Sequence, residues 1–235
     1  MSLWVGTSGW QYRSWRGTFY PDGLPQRAWL HYYAERFNCV EVNNAFYRLP
    51  EKSTFESWRE QTPEGYLVAV KVSRYLTHIK RLADPTEPVA RLVERAAGLG
   101  DRLGPYLLQL PPTLRATPER LDACLAAFPT DARVAVELRH ESWWTEEVRD
   151  LLARYGAALC WADRLGHPIT PLWATADWGY VRLHEGTAQP RPSYGRQALA
   201  TWLDRIREAW RSRSADVFVF FNNDAGGAAI RNAKT

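Results

Sequence analysis

Charged and amide side chains recur at the ends of short apolar runs in this 235-residue chain. Their spacing decides what chemistry they can share. Residues two apart on a β-strand point to the same face. Glu41 with Asn43, Glu137 with Arg139, and Arg182 with His184 are such pairs, while Lys71, Gln109, Asn222, Asn223 and Asp224 close further runs. If these faces meet, Glu41, Glu137 and Asp224 balance Lys71, Arg139 and Arg182. Such a set can neutralise itself as a structural network, because buried charges persist only when paired. It can instead supply acid–base and anion-binding chemistry. In that case Glu137 or Asp224 is the expected general base and His184 the proton carrier. Lys71 and Arg182 are then the clamps for an oxyanion or phosphate.

The elements that must position these residues follow from the apolar pattern. Strand-like runs lie at 3–6, 39–43, 66–72, 105–110, 133–138, 157–162, 178–184 and 216–222. Between them are stretches of helical period with start signals. Asp84 (with Pro85 and Glu87), Thr117 (with Pro118), Ser53 (with Glu56) and Thr145 are the expected N-caps, and Gly156 a stop. Strands alternating with helices imply parallel pairing, and eight such units close a (β/α)₈ TIM barrel. We expect a single barrel domain over 1–235. The alternative, an open doubly wound sheet, is disfavoured because GTSGW after the first strand lacks the dinucleotide GxGxxG spacing. The segment 163–177 has no helical period, so the crossover from strand six to strand seven is expected to be irregular. Barrels keep ligand sites at the carboxyl ends of their strands, where the polar residues fall.

The loops add to this end. Residues 7–25 carry Trp10, Tyr12, Trp15, Phe19 and Tyr20, which suits either a lid over a ligand or a loop packing its own small core. The loop after strand three gathers Arg74, His78, Lys80 and Arg81 near Lys71 as a basic patch. Asn222 to Gly227 reads as a turn into the last helix, with Asp224 as its N-cap or as part of a phosphate site.

Composition excludes several classes. The net charge of +4 is too small and dispersed to diagnose nucleic-acid binding, although Arg greatly outnumbers Lys. Cys39, Cys124 and Cys160 are odd in number and lack CxxC spacing, which argues against a disulfide framework or a cysteine zinc site. No run of about 18 apolar residues and no export signal is visible, so the expected location is the cytoplasm. Twelve Trp and eleven Tyr are the anomaly, and they serve either the core or ligand contacts.

Long blocks, GTSGWQYRSWRGTFYP at 6–21, FNCVEVNNAFYRLP at 37–50, LGPYLLQLPP at 103–112, VAVELRHESWW at 134–144 and FFNNDAGGAAIRNA at 220–233, resemble the YecE-like family, domain of unknown function 72. The resemblance implies a barrel of unassigned activity. It adds Phe46, Tyr47, His140 and Trp143 to the candidate ligand site, beside Trp10, Tyr12, Glu41, Asn43, Lys71, Gln109, Glu137, Arg139, Arg182, His184, Asn222, Asn223 and Asp224. This chain reads RLHEG at 182–186 where the family has RxHG, which places Glu185 at the rim. It stops at Thr235, so a short last helix and a longer native tail are expected.

Three functions compete. The first is an enzyme acting on an anionic or phosphate-containing ligand, such as a phosphodiesterase or nuclease, with Lys71, Arg74, Arg139 and Arg182 holding the anion. A divalent metal, zinc or manganese, would draw on His140, His184, Glu137, Asp163 and Asp224, but no HxH or HExxH spacing supports it. The second is a carbohydrate-active enzyme using Glu41 and Glu137. The third is a non-catalytic barrel that binds single-stranded nucleic acid. The oligomeric state is not legible.

Overall fold

A computed structural model describes residues 1–211 and 215–235. Eight parallel strands form a nearly closed (β/α)₈ barrel: β1 (Ser2–Thr7), β2 (Cys39–Val42), β3 (Leu67–Lys71), β4 (Leu103–Gln109), β5 (Val134–Glu137), β6 (Ala158–Arg164), β7 (Gly179–Leu183) and β8 (Asp216–Phe221). Neighbours run round the ring as β1-β8-β7-β6-β5-β4-β3-β2. β2 and β5 are buried along their whole length, as strands covered on both faces must be. The helices are α1 (Trp29–Ala34), α2 (Asn44–Tyr47), α3 (Lys52–Glu60), α4 (Thr86–Ala96), α5 (Pro118–Ala126), α6 (Glu146–Arg154), α7 (Arg196–Trp210) and α8 (Ala228–Ala233). No helix among the described residues is long and apolar enough to cross a membrane.

The ring closes between β1 and β2 through side chains. Backbone pairing there is a single bridge, Ser8 to Glu41. Asn38 does the rest: its Nδ2 donates to Leu3 O at 3.0 Å and its Oδ1 accepts from Val5 N at 2.9 Å. The Tyr33 hydroxyl accepts from Thr7 N at 2.8 Å. Gly6 permits the approach, because a Cβ there would lie 2.2 Å from the carbonyl oxygen of Cys39.

Side chains fill the interior in layers. Cys39, Ala69, Leu107, Ala135 and Cys160 meet Trp178, Tyr180, Phe218 and Phe220, so small residues on one side of the ring make room for rings from β7 and β8. Two residues further along β2, β3, β4, β5 and β7 stand Glu41, Lys71, Gln109, Glu137 and Arg182, which form the next layer toward the carboxyl ends.

Helix starts differ from the cap signals in part. Thr145 caps α6 by accepting from Val148 N at 3.3 Å, and Gly156 follows with φ +58°. Ser53 lies inside α3, whose cap position is Glu51. Asp84 stands before the cap position of α4 with φ +45°, and its carboxylate takes Lys80 Nζ at 2.8 Å instead. Thr117 holds the cap position of α5 without a side-chain bond. The β6–β7 crossover carries no helix among the described residues; His167–Pro168 folds back antiparallel on Asp163 and Arg164.

Candidate functional site

Arg182, 1% exposed, is the hub of the upper layer. Its Nε and Nη2 donate to Oε2 and Oε1 of Glu41 at 2.9 and 2.8 Å, and its Nη1 donates to Oε2 of Glu137 at 2.6 Å. Tyr180 Oη also donates to Glu41 Oε2 at 2.7 Å, and Gln109 Nε2 to Glu137 Oε2 at 2.8 Å. Burial alone would push both carboxyls up. The Arg182 charge, with Lys71 for Glu41 and with His184 and Arg139 for Glu137, instead holds both below the ordinary carboxylate range. The two-against-one core of this network was not legible as such. Tyr180 was missed altogether, although it shares a face with Arg182 two residues away.

On its outer side Glu137 Oε1 lies 3.3 Å from His184 Nε2 and 3.6 Å from Arg139 Nε. Neither Glu137 Oε1 nor His184 Nε2 has a well-aligned hydrogen bond, though both are buried. Asn222 Nδ2 stands 2.9 Å from His184 Nδ1. With that amide nitrogen donating, Nδ1 is the acceptor and the imidazole proton sits on Nε2, facing Glu137. Asn43 Oδ1 is a further buried atom without a partner.

Lys71 ends β3 in the same layer, 8% exposed, with Nζ over the Phe46 ring at 4.3 Å. It makes no hydrogen bond or ion pair to any described residue. Burial, then the Arg182 charge, lowers its pKa to about 8 against the opposing pull of Glu41 and Glu137.

Other candidates fall outside this cluster. In the 7–25 loop Trp10, Trp15, Phe19 and Tyr20 are buried, with Trp15 stacked on Tyr33 and Tyr20 on Trp29, so the loop packs into the main core against α1 and is neither a lid nor a separate small core. Tyr12 is the ring of that loop nearest the charges: its hydroxyl donates to Ser8 O at 2.5 Å, and burial followed by Asp224 raises its pKa to about 12. Asp224 neither caps a helix with its side chain nor joins the Arg182 network. Its Oδ1 accepts from Trp15 Nε1 at 2.7 Å, and burial raises it to about 6. The helix that follows has six residues, too short to provide a phosphate site. Trp143 is a core residue whose Nε1 donates to Leu114 O at 2.9 Å, and His140 Nδ1 accepts from Ser142 N at 3.1 Å as a cap. Asn223 is turned to structure, donating to Pro192 O and Asn232 Oδ1 at 3.0 Å each. Asp163 accepts from Tyr194 Oη and His184 N, tying β6 to β7. Glu185 pairs with Arg164 at 3.2 Å on the rim.

Arg74 and Tyr47 are exposed, Tyr47 at 80%. Asn43 and Tyr47 line a groove of about 600 Å³ with Arg48, Leu49 and Trp58. A wider groove of about 740 Å³ along α7 contains none of the candidate residues. Chemistry therefore locates the site better than concavity does. Among the described residues no three His, Cys, Asp or Glu side chains converge as a metal site, so the donor set does not fit the metal.

An eight-stranded parallel α/β barrel with a charge network across its carboxyl end is the class that fold and site define. The sequence model of the protein of unknown function family DUF72 matches residues 4–235, and the chain belongs to that family. It is similar to the UPF0759 protein YecE of Escherichia coli K12, 33% identical over 50% of this chain and 43% of that protein, so the match spans under half of that relative. It is also similar to the UPF0759 protein YunF of Bacillus subtilis, 25% identical over 99% of this chain and 92% of the relative. The crystal structure of a DUF72 family protein from Thermotoga maritima is 28% identical with a TM-score of 0.86, covering 100% of this chain and 97% of that one. A second, from Enterococcus faecalis, is 22% identical with a TM-score of 0.78, covering 99% of this chain and 94% of that one, and shares the fold.

Proposed function

We propose that this protein is an enzyme performing acid–base chemistry on a small anionic ligand at the carboxyl end of the barrel. The observation that carries the reading is the pair Glu137 Oε1 and His184 Nε2, buried and 3.3 Å apart, with neither atom making a well-aligned hydrogen bond. A buried polar atom without a well-aligned bond costs about 1–3 kcal/mol, and a ligand hydroxyl approaching both from the barrel mouth could donate to Glu137 Oε1 and accept from His184 Nε2. His184 carries the proton. Glu137 is a positioning residue: a carboxyl held well below its ordinary range is a weak base, so the proton-moving role passes to the imidazole, which presents its Nε2–H to the site as an acid. Lys71 and Arg139 balance the anion, with Arg74 at the rim. Arg182 is committed to Glu41 and Glu137 and does not serve as a clamp.

A phosphodiesterase or nuclease remains a narrower form of this reading, with the anion a phosphodiester, but the donor set gives it no metal centre. A glycosidase fits less well, because Glu41 is engaged by Arg182 and Tyr180 and cannot serve as a free acid. The exposed Tyr47, and the exposed Tyr75 next to Arg74 in the chain, favour one second reading, a single-stranded nucleic acid stacked on the rim, and an affinity indifferent to salt would overturn it.

Titration of ¹⁵N-histidine-labelled protein with inorganic phosphate and a panel of small carboxylates and phosphate esters tests the main reading. The His184 resonances should move, and K71M should weaken the response. No response to any panel member at millimolar concentration, or an equal response in K71M, would overturn it.

A further inference from the structure

Of the chain's 30 Lys and Arg residues only four are lysines: 52, 71, 80 and 234. Lys52 and Lys234 are exposed and Lys80 is paired with Asp84 at 2.8 Å. Lys71 alone is buried, and it is held by no acid within ion-pair distance. In a chain that uses arginine almost everywhere, an amine therefore stands at the most enclosed cationic position of the site other than Arg182. The two cations differ in one respect that matters here. Guanidinium cannot be deprotonated in a protein and is a poor nucleophile, whereas a desolvated ammonium beside another cation loses its proton readily.

Lys71 has both conditions. Phe46 covers Nζ with an apolar face at 4.3 Å, and Arg182 is the like-signed charge that acts on it most strongly. Glu41 and Glu137 pull the other way and favour the charged amine, but they do not offset burial and Arg182, to which both are bonded. The other groups facing it are Arg139 and, across Phe46, His78. The lowered pKa near 8 agrees with this setting, leaving roughly a tenth of the amine unprotonated at pH 7.

The geometry points to Lys71 as a covalent catalytic residue whose amine forms an imine with a small aldehyde or ketone bearing a carboxylate or phosphate. This rests on the anion-binding reading above and deepens it by naming the substrate class. The unprotonated Nζ lone pair adds to the carbonyl carbon. The carbonyl oxygen then leaves as one water, taking both amine hydrogens, and a C=N bond remains. Protonation of that nitrogen gives an iminium, which restores the positive charge that Lys71 carried and withdraws electrons from the neighbouring carbon. His184, held by Asn222 and Glu137, is the group available to move a proton at that carbon.

Borohydride trapping tests this. Wild-type protein is incubated with glyoxylate, pyruvate or glyceraldehyde 3-phosphate, reduced, digested and mapped by mass spectrometry. At least one compound should add to Lys71, with the yield rising through pH 8 and not through pH 10. K71R, which keeps the charge, should give no adduct at this position and no gain elsewhere. Absence of a Lys71 adduct with every compound, or trapping confined to the exposed lysines, overturns the imine. Parallel ¹⁵N-histidine spectra with lactate and glycerol 3-phosphate separate the two readings. A His184 response without trapping sinks only the imine, and neither response sinks both.

Discussion

Arg182 reaches across the interior from β7 to grip Glu41 on β2, three strands away round the ring, with two parallel hydrogen bonds of 2.8 and 2.9 Å. A bidentate pair of this kind fixes orientation as well as charge. Its third donor holds Glu137, so one cation locks strands on three parts of the ring.

This arrangement predicts a particular order of stabilities. R182M strands two buried carboxylates and should cost at least about 3–5 kcal/mol, the usual penalty for removing one partner of a buried pair. The triple variant R182M/E41Q/E137Q removes the charges of Arg182 and of both its carboxylate partners together and should recover much of that loss. Urea melts of the soluble fractions check it. A triple variant no more stable than R182M would show that the charges are not coupled in this way.

The seam between β1 and β2 gives a second prediction. Y33F removes the acceptor for Thr7 N and should cost about 1–3 kcal/mol, because the amide is left buried without a partner. G6A should cost more, since its methyl would press on the Cys39 carbonyl. Denaturant midpoints measure both, and hydrogen exchange at the Thr7 amide should accelerate in Y33F beyond its global destabilisation.

Asp224 predicts a pH dependence. Its carboxyl titrates near 6 in the fold, above the ordinary carboxylate value, through burial. Between those two values the folded chain binds more proton than the unfolded one, so this group's contribution to stability falls as pH rises toward 6 and stays low above it. D224N keeps an acceptor for Trp15 Nε1 but no charge. Its melting temperature should exceed that of the wild type at pH 8, and the two should converge near pH 4.

How much of this was legible depends on the kind of pattern. Eight strands and the faces of Glu41, Lys71, Glu137 and Arg182 followed from a period of two, which a strand enforces locally. Partners did not follow, because nothing local says that residue 182 meets residue 41. Asp224 was grouped with the acids by charge alone, yet the neighbouring loop draws it to Trp15. The aromatic loop allowed a lid or a private core from the same residues, and neither formed, because its rings stack on Tyr33 and Trp29, which lie beyond the loop. The cap signals at Ser53 and Asp84 misplaced the helix starts by a residue or two, since the preceding turn, with its left-handed Asp84, sets where helical backbone begins.

The imidazole of His184 gives the last prediction. Asn222 donates to Nδ1 and so selects the neutral form with its proton on Nε2, aimed at Glu137. Ring-nitrogen shifts of the neutral histidine should therefore report the Nε2–H tautomer in the wild type. N222A removes the donor without touching Glu137, and the spectrum should drift toward a mixture of tautomers while the fold, judged by the remaining histidines, stays the same. A wild-type spectrum already showing the Nδ1–H form would mean that the amide faces the ring with its oxygen. Glu137 would then confront an unprotonated nitrogen, and a proton between those two atoms would have to come from the ligand.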